Sequence, residues 1–102
     1  MENFDGQIDF EWIDKSIMSL LNFYSEKLGV ETYETVKNYV EHDEYEMAYE
    51  GLFLDLISIK FSPHEIDLPR YLDIGISLKL NKESCFHPDF WSYLTHYINN
   101  AT

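Results

Sequence analysis

Over residues 9–28 the apolar positions Ile13, Ile17, Leu20, Leu21, Tyr24 and Leu28 return every three or four residues, the spacing that places them on one face of an α-helix. Lys27 in the last turn and Gly29 just beyond it form a C-terminal signal. A shorter stripe of Tyr33, Val36 and Val40, with Tyr39 beside it, predicts a second helix over 32–41. His42-Asp43-Glu44 interrupts that stripe, and Asp43 is of the type that caps a new N-terminus. A third helix is then expected over 44–60, with Tyr45, Ala48, Leu52, Leu56 and Ile59 turned inward. Its acids Glu44, Glu46 and Glu50 lie toward the end where the helix dipole favours negative charge, and Lys60 lies at the other.

The second half of the chain is less regular. Ser62-Pro63-His64-Glu65 has the form of a capping box with proline at the first helical position. It predicts a helix over 63–80, kinked or restarted at Pro69. Within that span Ile74, Ile76, Leu78 and Leu80 alternate with Gly75, Ser77 and Lys79, which is also the period of a strand. A lone strand has no partner for its main-chain groups in so small a domain, so helix is the better assignment. His87-Pro88-Asp89 opens a last helix over 88–98 whose inner face is Phe90, Trp91, Leu94, Tyr97 and Ile98. Residues 99–102 are expected to fray and residues 1–8, with a turn signal at Asp5-Gly6, to be loose. The pattern therefore predicts an all-α fold, a compact bundle of about five helices in one domain spanning 1–102.

Composition makes such a bundle credible. The 102 residues include seven Phe, eight Tyr and two Trp, and large rings let a short chain bury enough apolar surface for one core. Some of those tyrosines are expected at the surface, where they suit recognition and leave a homodimer open. Nineteen acids against seven Lys and Arg give a formal net charge of −12. Such a surface repels a phosphate backbone and an anionic membrane, so neither nucleic acid nor membrane is an expected partner. It attracts a cationic protein and speeds its association. The single cysteine, Cys85, excludes an internal disulfide. The first ten residues lack the charged and apolar regions of a signal peptide, and no apolar run approaches the ~20 residues of a membrane span. A cytoplasmic location is the expectation.

Catalytic constellations are sparse. His42, His64, His87 and His96 include no pair at the spacing that puts two metal ligands on one helix face. His42 beside Asp43 and Glu44 reads as a solvated helix junction, and Cys85 with His87 two residues on reads as a chance pairing in a loop. There is no glycine-rich phosphate loop and no Gly-x-Ser-x-Gly. No catalytic residue, metal or cofactor is expected.

The acids are better placed to act. From Glu31 to Glu50 the chain carries seven acids and one basic residue, Lys37. Like charges sharing a helix face repel by a few tenths of a kcal/mol per pair, a cost that a docked cationic partner offsets. Tyr45 and Tyr49 interleave the acids, with Phe53 and Ile57 near the continuation of the same face, and rings beside carboxylates are what interface anchors use. The expected contacts are Glu41, Asp43, Glu44, Tyr45, Glu46, Tyr49 and Glu50.

Val40-Glu41-His42-Asp43-Glu44-Tyr45, followed by Ala48, Glu50 and Leu52, matches a pattern I/V-E-H-x-E-Y/W-x-x-A-x-E-x-L. Ser62-Pro63 and the segment from Leu72 to Leu80 with Gly75 inside follow it. In these features the chain resembles small helical immunity proteins of bacterial polymorphic-toxin and contact-dependent growth inhibition systems, over roughly Tyr33 to Leu80, or about half its length. The resemblance implies an antitoxin that binds one cognate basic toxin domain 1:1, such as a nuclease or RNase, and blocks it. It carries over no individual contact. The alternative that the residues leave open is a small acidic adaptor, regulatory subunit or nucleic-acid mimic.

Overall fold

The computed structural model describes residues 8–101, which form six α-helices: α1 (Phe10–Phe23), α2 (Ser25–Leu28), α3 (Val30–Glu41), α4 (Tyr45–Ser58), α5 (Leu68–Ser77) and α6 (Phe90–Asn100). A single 3-10 turn, Pro63–Glu65, precedes α5. The all-α expectation is met. The turn expected at Asp5-Gly6, and most of the start expected to be loose, lie outside the described residues.

Helix α4 is the centre of the molecule. It packs against α3, α1 and α6, and Tyr45, Ala48, Tyr49, Glu50, Leu52, Phe53, Leu56 and Ile57 are all buried. The run Leu52-Phe53-Leu54 followed by Leu56-Ile57 is apolar on several sides, and a helix apolar on several sides needs neighbours on several sides. Ile13, Ile17, Leu20 and Leu21 of α1, Val36 and Val40 of α3, and Phe90 and Leu94 of α6 supply them. Each such side chain stabilises the fold by roughly 1.5–3 kcal/mol relative to exposure.

The first predicted helix divides at Tyr24, which sits at φ −104° and ψ 13°. The main-chain ladder persists on either side of it, since the Tyr24 amide donates to Leu20 and its carbonyl accepts from Leu28. The distortion accompanies a buried Tyr24 ring whose hydroxyl donates to Glu65 at 2.8 Å. Gly29, at φ +90°, ends α2 and serves at once as the N-cap of α3, so the second helix opens two residues before the sequence suggests.

Three helices end in the same way. Asp43, Lys60 and Lys79 take φ of 58°, 60° and 64° just past α3, α4 and α5. In each case the next amide reaches back five residues: Glu44 to Tyr39, Phe61 to Leu56 and Leu80 to Gly75. The left-handed residue itself bonds three back, to Val40, Ile57 and Ile76. These are Schellman caps, and Phe61 and Leu80, the residues just past two of them, are buried. Asp43 therefore terminates α3 and does not cap α4; Glu44 holds the N-cap position, with no side-chain bond.

The region expected as one helix over 63–80 is two elements. Ser62 makes no side-chain cap, whereas the Asp67 carboxylate accepts from the Arg70 amide and Pro69 occupies the first turn of α5. The stronger start signal is thus Asp67 to Pro69. The helix stops at Ser77, and Leu78 and Leu80 belong to the turn that follows it. At the other end of the chain α6 runs on to Asn100, two residues past the expected end.

Candidate functional site

The junction of α3 and α4 is short because Glu44 is both the closing residue of one cap and the opening residue of the next helix. That compression brings acids together at the surface. Glu41, Asp43 and Glu46 are exposed and Glu44 is half-buried. The Tyr45 hydroxyl lies 3.3 Å from an Asp14 carboxylate oxygen and 3.2 Å from one of Asp43. Two carboxylates, one from α1 and one from the α3–α4 turn, therefore converge on one phenol, and the acidic surface extends onto α1. Burial, then the charge of Asp14 and the hydrogen bond to Asp43, push the Tyr45 phenol up to about 12. The one ion pair among the described residues, Lys15 to Glu11 at 3.4 Å, lies within α1 and neutralises none of the junction acids.

Three of the seven residues expected to touch a partner are withdrawn from the surface. Tyr45 is 6% exposed, its ring stacked on Phe10 with centroids 5.5 Å apart. Tyr49 and Glu50 are 0% exposed. Phe53 and Ile57, expected beside the same face, are core residues as well. Because α4 is enclosed on several sides, its outer face is narrow and only Glu46 of its first-turn residues is fully open to solvent.

What these buried polar side chains do is structural. The Tyr49 hydroxyl donates to the Tyr71 carbonyl at 2.7 Å, and the Tyr71 hydroxyl donates to the Ser16 carbonyl at 2.7 Å. This relay ties α4 to α5 and α5 to α1. Burial raises the pKa of both phenols. Glu50 accepts three consecutive main-chain amides: Cys85 on Oε1 at 2.7 Å, and Phe86 and His87 on Oε2 at 2.8 and 2.7 Å. A buried carboxylate is costly unless it is hydrogen-bonded in this way. Its role was invisible locally because its partners lie 35 to 37 residues further along.

The arrangement around Cys85 does not favour a nucleophile. Burial, then the charges of Glu50 and Glu46, push its thiol pKa up, which keeps it in the less reactive thiol form. The His87 Nδ1 accepts from the Asp89 amide at 3.1 Å and its ring stacks on Tyr93. The His42 Nδ1 lies 2.8 Å from the Asn38 carbonyl, a helix-end contact. Among the described residues no three His, Cys, Asp or Glu side chains are grouped to hold a metal ion, and no helix is long and apolar enough to cross a membrane.

The exposed acids Glu41, Asp43 and Glu46 with Glu44, backed by Asp14, thus make up the surface part of the expected site. Comparison with protein-family models, with curated proteins and with solved structures finds no match to this chain.

Proposed function

We propose that the chain is an immunity protein that neutralises a basic toxin domain, such as a nuclease, by covering it with the acidic junction of α3 and α4. The observation that carries this reading is the grouping of Glu41, Asp43, Glu44 and Glu46 at one helix junction, from the end of α3 to the first turn of α4, with no cation paired to them among the described residues. An unneutralised cluster repels itself, and a docked Lys- or Arg-rich surface relieves that repulsion. The net charge of −12 and the resemblance of residues 33–80 to small helical immunity proteins support the same reading. On it the chain is a binder and not an enzyme, and it acts in the cytoplasm of the cell that makes the toxin. The deciding experiment mixes the purified protein with a basic domain encoded immediately upstream of its gene. A 1:1 complex at micromolar concentration or tighter, weakened by salt, is the expected result. No complex at that concentration refutes the reading, and binding indifferent to salt refutes its electrostatic basis.

A further inference from the structure

A groove of about 330 Å³ runs between α3 and α4, with Val36 and Gly51 among its lining. Two carboxylates line it, Glu31 and Asp55, and no basic residue does. Asp55 Oδ2 accepts from the Thr32 hydroxyl at 2.7 Å, which fixes the carboxylate and leaves Oδ1 available. Tyr39 is also part of the lining, and beside it lies Phe86, ring centroids 6.2 Å apart. A side chain at Gly51 would meet the Phe86 ring at 3.9 Å, so that ring stands at the Gly51 side of the groove. Phe86 is 49% exposed, yet its main chain is held by Glu50. The main chain that carries the ring is anchored, and the ring presents an aromatic surface half open to solvent.

Rings next to an anchored carboxylate, with no basic residue in the lining, complement a planar cation better than a spherical one. A guanidinium stacks on an aromatic face and bonds a carboxylate in the same plane, whereas an ammonium acts as a point charge. We propose that the α3–α4 groove receives an arginine side chain of the partner protein, its guanidinium paired with Asp55 and Glu31 and its flat face against Phe86 and Tyr39. This rests on the reading that the partner is a basic protein. It adds a second point of contact, specific where the junction acids are merely attractive.

Two end-blocked peptides of equal charge, tetra-arginine and tetra-lysine, test it by amide-resolved NMR titration of the whole chain. Tetra-arginine should bind at least threefold more tightly, with the largest shifts at Thr32, Gly51, Asp55 and Phe86. Asp55→Asn keeps an oxygen for the Thr32 hydroxyl, and Phe86→Ala leaves the amide that Glu50 holds, so both variants should fold; each should abolish the preference for arginine. Equal affinities in the wild type, or a preference that survives both substitutions, overturn the assignment. Either result leaves a complex with an upstream-encoded basic domain untouched, and failure of that complex leaves the peptide preference untouched, so the two readings fail separately.

Discussion

The carboxylate of Glu50 and the amide of Phe86 meet at 2.8 Å, and the amides on either side of Phe86 close on the same carboxylate. One side chain in the middle of α4 thereby shapes the loop that precedes α6. Hydrogen bonds to a charged acceptor contribute about 1.5–3 kcal/mol each, and solvent recovers part of that when a surface loop opens. Glu50→Gln, which turns one acceptor oxygen into a donor facing an N–H, should cost about 2–4 kcal/mol in urea unfolding. It should also speed hydrogen exchange at residues 85–87 more than in the core of α1. Unchanged exchange there would mean that the loop is held by something else.

Gly75 makes a prediction that depends on its neighbour. A Cβ at this position would lie 2.4 Å from one Trp91 ring atom and 2.9 Å from the Tyr49 hydroxyl, so α5 approaches α6 only because position 75 has no side chain. Alanine is favoured over glycine in a helix by ~1 kcal/mol, but overpacking costs typically ~1–3 kcal/mol. Gly75→Ala should therefore be destabilising by up to about 2 kcal/mol in the wild type. In a Trp91→Ala background the ring contacts are gone and the Tyr49 hydroxyl at 2.9 Å remains, so the same substitution should cost clearly less. A double-mutant cycle by denaturant unfolding measures the difference; equal effects in both backgrounds would exclude the clash.

Lys79 ends α5 in the left-handed region at φ 64°, where a Cβ costs roughly 1–2 kcal/mol and glycine pays no such penalty. Part of the gain is offset by the greater freedom of glycine in the unfolded chain. Lys79→Gly should raise stability by about 0.5–1 kcal/mol, seen as a higher urea midpoint at unchanged slope. Lys79→Val, branched at Cβ, should lower it.

How much of this could be read from the sequence follows from how local each cause is. The stripes of α1 and α3 and the face of α6 are statements about period, and they place Ile13, Val36 and Leu94 correctly. The turn at His42 to Glu44 was legible as an interruption. Its cap was not, since Asp43 closes α3 through a backbone conformation and not through its side chain. Alternation of acids and rings resembles a surface, and it places Tyr49 and Glu50 among the expected contacts. The contrary signal was the apolar run from Leu52 to Ile57 directly after them, which marks a helix with neighbours on several sides. No local pattern announces that a carboxylate will meet main-chain amides 35 residues away. The α3–α4 groove is likewise a product of pairing two helices and bringing Phe86 beside them.

Alkaline pH should weaken the fold through its tyrosines. Burial, with the hydrogen bond to Glu65, pushes the Tyr24 phenol up to about 12, and Tyr45 is raised to about 12 as well. An unfolded phenol ionises near ~10, so between pH 10 and 12 the unfolded chain releases protons that the folded chain retains. The stability contributed by these phenols is complete below pH 10 and is lost as pH climbs toward 12. Urea midpoints should be level from pH 8 to 9.5 and then fall. Tyr24→Phe should start lower, having lost the bond to Glu65, and fall less steeply. A midpoint level to pH 11.5 would show that these phenols are not sequestered.

The junction acids should govern the rate of partner association more than the lifetime of the complex. Glu41, Asp43 and Glu46 are exposed and Glu44 is half-buried, so their field reaches an approaching cation through water and is screened beyond about 8–10 Å at physiological salt. Charges of this kind act mainly on kon, while buried anchors act on koff. Neutralising all four as Gln or Asn should slow association with an upstream-encoded basic domain about tenfold or more at low salt, with a much smaller effect at 0.5 M salt. It should leave stability unchanged or slightly raised, since like-charge repulsion within the turn is removed. Tyr49→Phe is the contrasting variant: its hydroxyl is bonded inside the core to Tyr71, so it should lower stability by ~1 kcal/mol and leave kon alone. Stopped-flow association at two salt concentrations separates the cases. A fourfold-neutralised protein that associates as fast as the wild type at low salt would remove the junction from the interface.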